Sequence, residues 1–371
     1  MFHRTPHHNS INCILSPSMM DSIILNGNSR RRQRALRTLQ ITSTLNVARV
    51  GHDEGARMSR QAMRAERRLK FASPWGRRKA LAGNENRTIS DAHHTQRIGN
   101  QVRAEGEPDT GDPAVDEAYK YMGNTYDFYW QVFARDSIDD AGMALNGTVH
   151  YGRDYDNAFW DGRRMNYGDG DGEQFERFTK SVDVIGHELT HGVTQFEAGL
   201  IYWDQSGALN ESISDVFGSL VKQFVNNQTA DRADWLIGAE LFVPGAVNGV
   251  AIRSMKAPGT AYDDPVLGKD PQPDNMRKYV KTFQDSRGVH INSGIPNKAF
   301  YEVSVNLGGY AWEKAGRIWY ATLQSPLLRP VSNFQNFARL TIMSAQQLFP
   351  GAGGLEVQAV RDGWAQVGIN V

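Results

Sequence analysis

Apolar residues recur at intervals of three and four positions through most of the second half of the chain. This is the spacing of one face of an α-helix. The pattern therefore predicts a mostly helical lobe after residue 183, with helices over 183–195, 208–226, 297–305, 311–323, 332–347 and 354–366.

Residues 86–180 have a different pattern, in which short apolar runs alternate with turn-forming residues. Asn146-Gly147 and the GDGDG segment at 168–172 are examples of such turns. The pattern predicts strands joined by tight turns, together with one helix over 115–133. We therefore expect an α+β fold with a β-rich lobe at 84–186 and a helical lobe at 187–371, joined near the helix that contains His187.

Residues 1–83 are expected to form a prosegment and its linker. The apolar spacing at 19–47 predicts short helices on either side of an Asn26-Gly27-Asn28 break, and the arginine-rich stretch 51–83 predicts an exposed linker, helical at 56–69. Exposed linkers of this kind are common sites of proteolysis.

The net charge of zero conceals an uneven distribution along the chain. Residues 1–90 contain 17 Lys and Arg against 5 Asp and Glu, a balance of +12, and the remainder contains 24 against 36, a balance of −12. A basic segment of this kind either binds nucleic acid or docks on its own acidic body. The near absence of aromatic residues between 30 and 90 favours docking over nucleic-acid binding.

The cysteine count, the length of the apolar runs and the N-terminal sequence also bear on the class of protein. The chain of 371 residues has one cysteine, Cys13, so no disulfide within the chain is possible. No run approaches 18 apolar residues, so no membrane span is expected. The first 25 residues lack the apolar region of a secretory signal. This argues against the ordinary export route.

The segment VDVIGHELTHG at 182–192 carries the first candidate chemistry. His187 and His191 are four residues apart, so a helix would place both imidazoles on one face, where they could bind one cation. Glu188 would reach a water bound to that cation without being a ligand. The alternative is a solvated helix that carries polar residues by chance.

A second acidic pair follows in GALNESISD at 207–215. Glu211 would supply a third ligand from another helix, and two histidines with one carboxylate leave a zinc position open, as catalytic sites require. Asp215 lies one turn further on the same face and could accept the other ring N–H of His187.

Together these motifs resemble those of the thermolysin-like neutral zinc metalloproteases, the M4 family. The resemblance covers about 86–371 and continues in NAFW at 157–160, YGDGDG at 167–172 and GVHINSGIPNK at 288–298. CILSP at 13–17, Asn26-Gly27 and RALRTL at 34–39 are similar to the short propeptide of the protealysin-like branch.

The resemblance implies a zinc endopeptidase made as a zymogen and suggests maturation between about Arg68 and Asn86. Because family members are mostly secreted, secretion by a non-classical route is expected, with a cytoplasmic zymogen as the alternative. Glu188 is then the general base, Tyr202 and His290 stabilise the oxyanion, and Asp285 orients His290. Arg253 holds a substrate carbonyl, while Asn157 and the Ala158 backbone form the edge along which the peptide lies extended. A preference for a bulky apolar residue at P1′ follows from five apolar pocket positions, which are Phe175, Phe178, Val184, Ile237 and Ile252.

The family's usual double calcium site is expected to be lost. Asp183 and Asp234 keep two of its acidic positions, but Lys222, Leu236 and Ala239 occupy others, and calcium needs six to eight oxygen ligands. We expect the Lys222 ammonium to lie between Asp183 and Asp234 in place of the ions.

Cys13 is a candidate inhibitory residue, because a thiolate in a prosegment, or the chain near it, could occupy the open zinc position. The alternative is a small buried apolar residue. The expected partners are protein and peptide substrates and the chain's own propeptide, with neither nucleic acid nor membrane, and the protein is expected to be a monomer. A catalytically silent HExxH protein that binds peptides is the competing function.

Overall fold

A computed structural model describes residues 12–44, 83–351 and 354–371 of the chain. The predicted linker helix at 56–69 and the predicted cleavage region up to residue 82 lie outside these residues. Within the described part, no helix is both long and apolar enough to cross a bilayer.

The described part of the prosegment, residues 12–44, contributes one short strand and two helices. Strand β1 is Asn12–Cys13, helix α1 is Pro17–Asn26, and α2 is described over 29–44. Ser16 caps α1 by accepting a hydrogen bond from the Met19 N–H at 3.3 Å. The predicted break at Asn26-Gly27-Asn28 separates the two helices, which confirms this part of the prediction.

The N-terminal lobe is built on a mixed sheet of six strands in the order β1-β5-β6-β4-β2-β3. Helix α3, Pro113–Phe133, packs against it and buries one face that includes Val115, Met122 and Tyr129. The strands are β2 Arg87–Asp91, β3 Asn100–Ala104, β4 Leu145–Val149, β5 Ala158–Trp160 and β6 Met165–Tyr167.

The C-terminal lobe is mostly helical, as the apolar spacing predicts. Its helices, with the one at the join, are α4 Val182–Phe196, α5 Asp204–Val225, α6 Asp285–Asn292, α7 Gly294–Leu307, α8 Ala315–Gln324, α9 Phe334–Leu348 and α10 Leu355–Gln366. Two short hairpins complete the lobe, formed by β7 Leu236–Ile237 with β8 Arg253–Ser254 and by β9 Asp263–Asp264 with β10 Gly268–Lys269.

Three predicted helix starts differ from the observed ones by three or four residues, and one of these helices, predicted from 297, begins at Gly294. The helix predicted from 311 begins at Ala315, because residues 311–314 form a turn before it. The helix predicted from 208 begins earlier, at Asp204, after the extended residue Trp203. Apolar spacing marks the buried face of a helix and gives little information about a polar first turn.

Two glycines allow α4 and α5 to approach each other closely. A Cβ added to Gly218 would lie 2.4 Å from the Asp183 carbonyl oxygen, and one added to Gly186 would lie 3.1 Å from the Gly218 Cα. A Cβ does not fit at 2.4 Å from a backbone atom, so position 218 requires glycine, and at position 186 a Cβ would be tightly packed against the α5 backbone. This close packing brings the side chains of the two helices together in the cleft between the lobes.

Candidate active site

Two helices bring the three predicted metal ligands together. His187 and His191 on α4 place their Nε2 atoms 3.0 Å apart. Glu211 on α5 places Oε2 at 3.5 Å from His187 Nε2 and Oε1 at 3.4 Å from His191 Nε2. All three side chains are buried.

This geometry fits a tetrahedral cation. Ligands at about 2.0–2.1 Å from zinc in tetrahedral geometry are roughly 3.3 Å from one another, and the three measured separations lie on either side of that value. Glu211 Oε2 is buried and has no hydrogen-bond partner among the described residues. A carboxylate buried in this way requires a positive charge close to it, and a metal ion would supply one.

Each ligand histidine is oriented through its second ring nitrogen. His187 Nδ1 lies 2.8 Å from Asp215 Oδ1, as the helical spacing predicts. Arg253 donates to both oxygens of the same carboxylate, each at 2.8 Å. Burial opposes ionisation of Asp215, but Arg253 and His187 outweigh it and keep the pKa of this carboxyl well below its usual range.

Sequence reasoning missed three polar residues that support these ligands. Asn210 Oδ1 lies 2.8 Å from His191 Nδ1, and Ser214 Oγ lies 3.0 Å from the same nitrogen. Asn297 donates to Asp215 at 2.8 Å. Asn210 and Ser214 are polar residues four apart on a helix that is otherwise apolar on its buried face, and this was the available signal.

Glu188 lies beside the ligand group on α4. Its Oε2 accepts the Trp160 N–H at 3.1 Å, whereas Oε1 has no hydrogen-bond partner in the described part of the chain. Burial raises the pKa of Glu188 well above its ordinary value, and the nearby Glu211 carboxylate raises it further. One oxygen is thus fixed by the strand β5 backbone, and the other can face a reactant.

Tyr202 and His290 face the ligand group from the helical lobe. Tyr202 Oη lies 3.1 Å from His290 Nε2 and also donates to Glu211 Oε1. Asp285 Oδ1 lies 2.5 Å from His290 Nδ1, and its Oδ2 accepts the His290 N–H at 2.9 Å. Burial works to lower the pKa of His290, but Asp285 outweighs it and raises the pKa to about 9.

The backbone before His290 is unusual. Residues 285–288 all have positive φ, at 51°, 49°, 69° and 77°. Only the last of them, Gly288, is a residue that adopts this region without strain. Strained turns of this kind are typical of functional sites. This turn places the Asp285 carboxylate against the backbone N–H and the ring Nδ1 of His290.

The prosegment fills the cleft in front of these residues. β1 pairs antiparallel with β5, with Cys13 opposite Phe159. The Ile14 N–H donates to the Ala158 carbonyl at 3.3 Å, and Arg253 donates to the Ile14 carbonyl at 2.7 Å. The remaining space beside Ile14 and Leu15 is about 20 Å³, room for about one water molecule.

Further hydrogen bonds fix the residues on either side of Ile14. Asn157 Oδ1 accepts the Leu15 N–H at 3.0 Å, and Asn157 Nδ2 donates to the Leu15 carbonyl at 3.4 Å. The Cys13 carbonyl oxygen lies 2.8 Å from His290 Nε2. The predicted substrate-binding residues therefore contact one extended stretch of this chain, Cys13 to Leu15.

The five predicted pocket residues are all buried and belong to the same apolar cluster as Ile14. The Cys13 side chain belongs to a second cluster, with Ile41, Ala92, Tyr151, Tyr155 and Phe159. Two groups of described residues could hold a metal ion, His187 with His191 and Glu211 in the cleft and His94 with His150 and Asp169 elsewhere, and neither includes the Cys13 sulfur. The main chain of Cys13, rather than its thiol, faces the catalytic side chains.

Charged contacts hold the prosegment helix α2 on the N-terminal lobe. Arg34 Nη1 lies 3.6 Å from Asp171 Oδ2 and 3.4 Å from Glu173 Oε1, and donates to the Asp171 carbonyl at 3.2 Å. Arg30 pairs with Glu173 at 3.0 Å, and Arg37 pairs with Asp154 at 2.7 Å. The basic prosegment therefore contacts acidic residues of its own chain, as the charge distribution predicts.

Taken together, a β-rich lobe, a helical lobe and a His-His-Glu ligand group in the cleft between them define a two-lobe metallopeptidase. Residues 81–195 match the family described as thermolysin metallopeptidase, catalytic domain. Residues 198–369 match thermolysin metallopeptidase, alpha-helical domain. The chain belongs to the thermolysin family of metallopeptidases and is a thermolysin-like metalloprotease.

Individual relatives agree with this assignment. The chain is 50% identical over 359 residues, 96% of each chain, to an extracellular metalloprotease of Pectobacterium carotovorum subsp. carotovorum. It is 55% identical over 290 residues, 77% of each chain, to protease PrtS of a Photorhabdus species. A solved structure, the precursor of protealysin from Serratia proteamaculans, is 49% identical with a TM-score of 0.83 and covers 96% of this chain and 99% of that one.

Proposed function

We propose that the chain is the zymogen of a zinc endopeptidase that prefers a bulky apolar residue at P1′ and is held inactive by its own prosegment. The observation that carries the proposal is the main-chain hydrogen bonding of the prosegment in the cleft. Cys13 is bonded to His290, Ile14 to Ala158 and Arg253, and Leu15 to Asn157. An extended segment bound through its main chain to an edge strand is a common mode of peptide recognition.

The prosegment indicates where a substrate would lie. With the Cys13 carbonyl at His290, Ile14 takes the P1′ position in this proposal. Its side chain lines a small cavity with Ile252, one of the five predicted pocket residues, and all five belong to the apolar core that contains Ile14. Such a cluster favours large apolar side chains and excludes charged ones, because a charge buried there would lack a partner. Each methylene group in a pocket of this kind contributes roughly 1–3 kcal/mol to discrimination.

The roles in hydrolysis follow from the contacts. His187, His191 and Glu211 would hold the zinc, which when bound lowers the pKa of a water molecule and polarises a carbonyl. Glu188 Oε1 accepts the proton of the attacking water and passes it to the leaving nitrogen. Tyr202 and His290 donate to the developing oxyanion. Asp285 positions His290, and Asp215 positions His187.

Three further parts of the proposal follow the same reasoning. Residues 1–83 act as propeptide and linker, 84–186 as the β-rich lobe and 187–371 as the helical lobe. The Lys222 ammonium replaces the calcium ions of the family, because it lies 3.2 Å from Asp183 and 2.9 Å from Asp234. The enzyme acts outside the cell, as the name of the Pectobacterium relative says of that protein.

A metal-dependent peptidase assay tests the proposal. The mature protein should contain one zinc ion and cleave peptides with Ile or Leu at P1′ at least about tenfold faster than those with Asp there. A chelator should abolish cleavage and added zinc should restore it. Glu188→Gln should bind zinc equally but lose at least about 100-fold in rate. A zinc-loaded protein that binds peptides and cleaves none would support the silent peptide-binding alternative.

A further inference from the structure

The main-chain direction of the prosegment in the cleft has a chemical consequence. A prosegment that crossed the site in the direction opposite to a substrate would present no bond in position for hydrolysis. Here β1 runs antiparallel to β5. The Cys13 carbonyl contacts His290, and the N–H of the next residue, Ile14, donates to the Ala158 carbonyl. The two groups belong to one peptide bond, between Cys13 and Ile14.

We propose that the zymogen hydrolyses its own Cys13–Ile14 peptide bond and stays inactive after the cut. The inference rests on the proposed endopeptidase function and extends it to the chain's own prosegment. Latency in this zymogen then comes from slow release of a cleaved segment and does not require the segment to resist cleavage.

The groups around this bond match those that hydrolysis requires. The Cys13 carbonyl oxygen lies 2.8 Å from His290 Nε2, and Tyr202 Oη lies 3.1 Å from the same nitrogen. One donor proposed for an oxyanion, His290, thus contacts this carbonyl, and the other, Tyr202, lies beside that histidine. The Ile14 N–H points to the Ala158 carbonyl at 3.3 Å, which fixes the leaving nitrogen.

The step balances as an ordinary hydrolysis. A water molecule adds to the Cys13 carbonyl carbon, and Glu188 takes one of its protons. The bond between the Cys13 carbonyl carbon and the Ile14 nitrogen then breaks, and Glu188 passes the proton to that nitrogen. The second proton of the water passes from the new carboxylic acid to the amine, so the products are a carboxylate at Cys13 and an ammonium group at Ile14, with no oxidant or reductant involved.

Contacts after the cut site keep the cleaved segment in place. Arg253 still holds the Ile14 carbonyl, and Asn157 still holds both main-chain groups of Leu15. Helix α2 remains fixed by Arg34 and by Thr38, whose Oγ1 accepts the buried Asp156 N–H at 3.1 Å. The segment also remains covalently joined to the lobes through the linker, so its effective concentration stays high.

Intact-mass measurement of the full-length precursor tests the inference. Zinc-loaded precursor should lose residues 1–13 in a first-order reaction whose rate does not depend on protein concentration. Glu188→Gln precursor should stay whole, and Cys13→Ser precursor should lose the same residues because the thiol takes no part. The nicked precursor should retain the low peptidase activity of the intact one, to within about twofold.

The outcomes separate this inference from the proposed function. If the mature enzyme cleaves a synthetic peptide that spans residues 9–18 while the precursor never yields a chain that begins at Ile14, the inference is wrong and the peptidase function stands. If the mature enzyme cleaves no peptide, the proposed function fails first. A cut that speeds up with added mature enzyme and is absent without it would also overturn the inference.

A second measurement needs no turnover. In metal-stripped Glu188→Gln precursor, the amide hydrogens of Ile14 and Leu15 should exchange with solvent at least about tenfold more slowly than in the free peptide, because both are bonded to the cleft. Exchange of these two amides at the rate of the free peptide would contradict the proposed seating of the bond.

Discussion

The ammonium of Lys222 lies 3.2 Å from the fully buried carboxylate of Asp183. The same ammonium lies 2.9 Å from Asp234 and donates to the Leu236 carbonyl at 3.3 Å, while the Gly238 N–H donates to Asp183. The lysine therefore lies between two carboxylates. The Lys222 ammonium thus lies where the sequence predicts it. Substitution of Lys222 tests whether it replaces calcium.

Lys222→Met should lower the free energy of unfolding by about 3–5 kcal/mol, because it leaves the Asp183 charge buried without its partner. Added calcium should not raise the melting temperature of the wild-type protein. Denaturant unfolding in the Glu188→Gln background measures both effects without self-digestion. Lys278→Met, which removes an exposed pair with Asp274, should cost less than about 1 kcal/mol. A strong stabilisation of the wild type by calcium would contradict this account.

Arg34→Ala should loosen the prosegment. Its guanidinium is mostly buried between Asp171 and Glu173, and a charged hydrogen bond of this kind contributes roughly 1.5–3 kcal/mol. Amide exchange over residues 29–44 in the precursor should therefore speed up at least about tenfold. Arg37→Ala is the matched control, because its pair with Asp154 is exposed on both sides and should contribute little. Equal effects of the two substitutions would show that α2 is held by apolar packing alone.

The helices and the metal ligands are the parts that the sequence predicts best. Helical periodicity is a local signal, and the spacing of His187, Glu188 and His191 together with Glu211 and Asp215 carries the ligand geometry directly. The helix ends were less accurate. The first turn from Asp204 is polar and has no apolar spacing, whereas the buried residues Ala311 and Trp312 extend the apolar spacing into the turn before Ala315. The left-handed turn at 285–288 gives no local signal in its polar residues, since only Gly288 favours positive φ.

The way the prosegment blocks the cleft could not be read from the sequence. β1 pairs with a strand about 145 residues further along the chain, and no local pattern specifies such a pairing. The thiol of Cys13 suggested a metal ligand because it is the only cysteine, but a residue's main chain can be the functional part. Asn297 was missed for a related reason, since its contact with Asp215 joins helices 82 residues apart in sequence.

The stability of the N-terminal lobe should depend on the charge of His150. Its Nδ1 lies 2.9 Å from Asp169 and its Nε2 lies 2.9 Å from Asp112, the residue that caps α3. The hydrogen bond to Asp169 raises the pKa of His150, and burial lowers it by less. The hydrogen bond to Asp112 raises the pKa further, to about 9. The folded pKa lies above the ordinary histidine value of about 6.5. The stabilisation is therefore complete below about pH 6.5 and is lost as the pH rises through about 9.

His150→Gln should accordingly lower the free energy of unfolding by up to ~3 kcal/mol at pH 6, and by much less at pH 10. Denaturant titrations at both values, in the Glu188→Gln background, measure the difference. His93→Gln is the control, because its side chain is 64% exposed and its loss should change stability little at either pH. If the loss in free energy of unfolding caused by His150→Gln stayed constant or grew between pH 6 and pH 10, His150 would not be stabilised by its positive charge.

Latency of the precursor should depend on the Ile14 side chain and not on the Cys13 thiol. Cys13→Ser keeps the main chain that occupies the cleft, so peptidase activity of the fresh precursor should stay within about threefold of wild type. Ile14→Asp places a carboxylate in the apolar pocket, at a cost of several kcal/mol, and should raise precursor activity at least about tenfold. Ile14→Leu keeps the apolar contact and is the matched control. Hydrolysis of a fluorogenic peptide, with gels that confirm an uncut linker, measures all three. An active Cys13→Ser precursor beside a latent Ile14→Asp one would mean that the sulfur, and not the segment, keeps the zymogen silent.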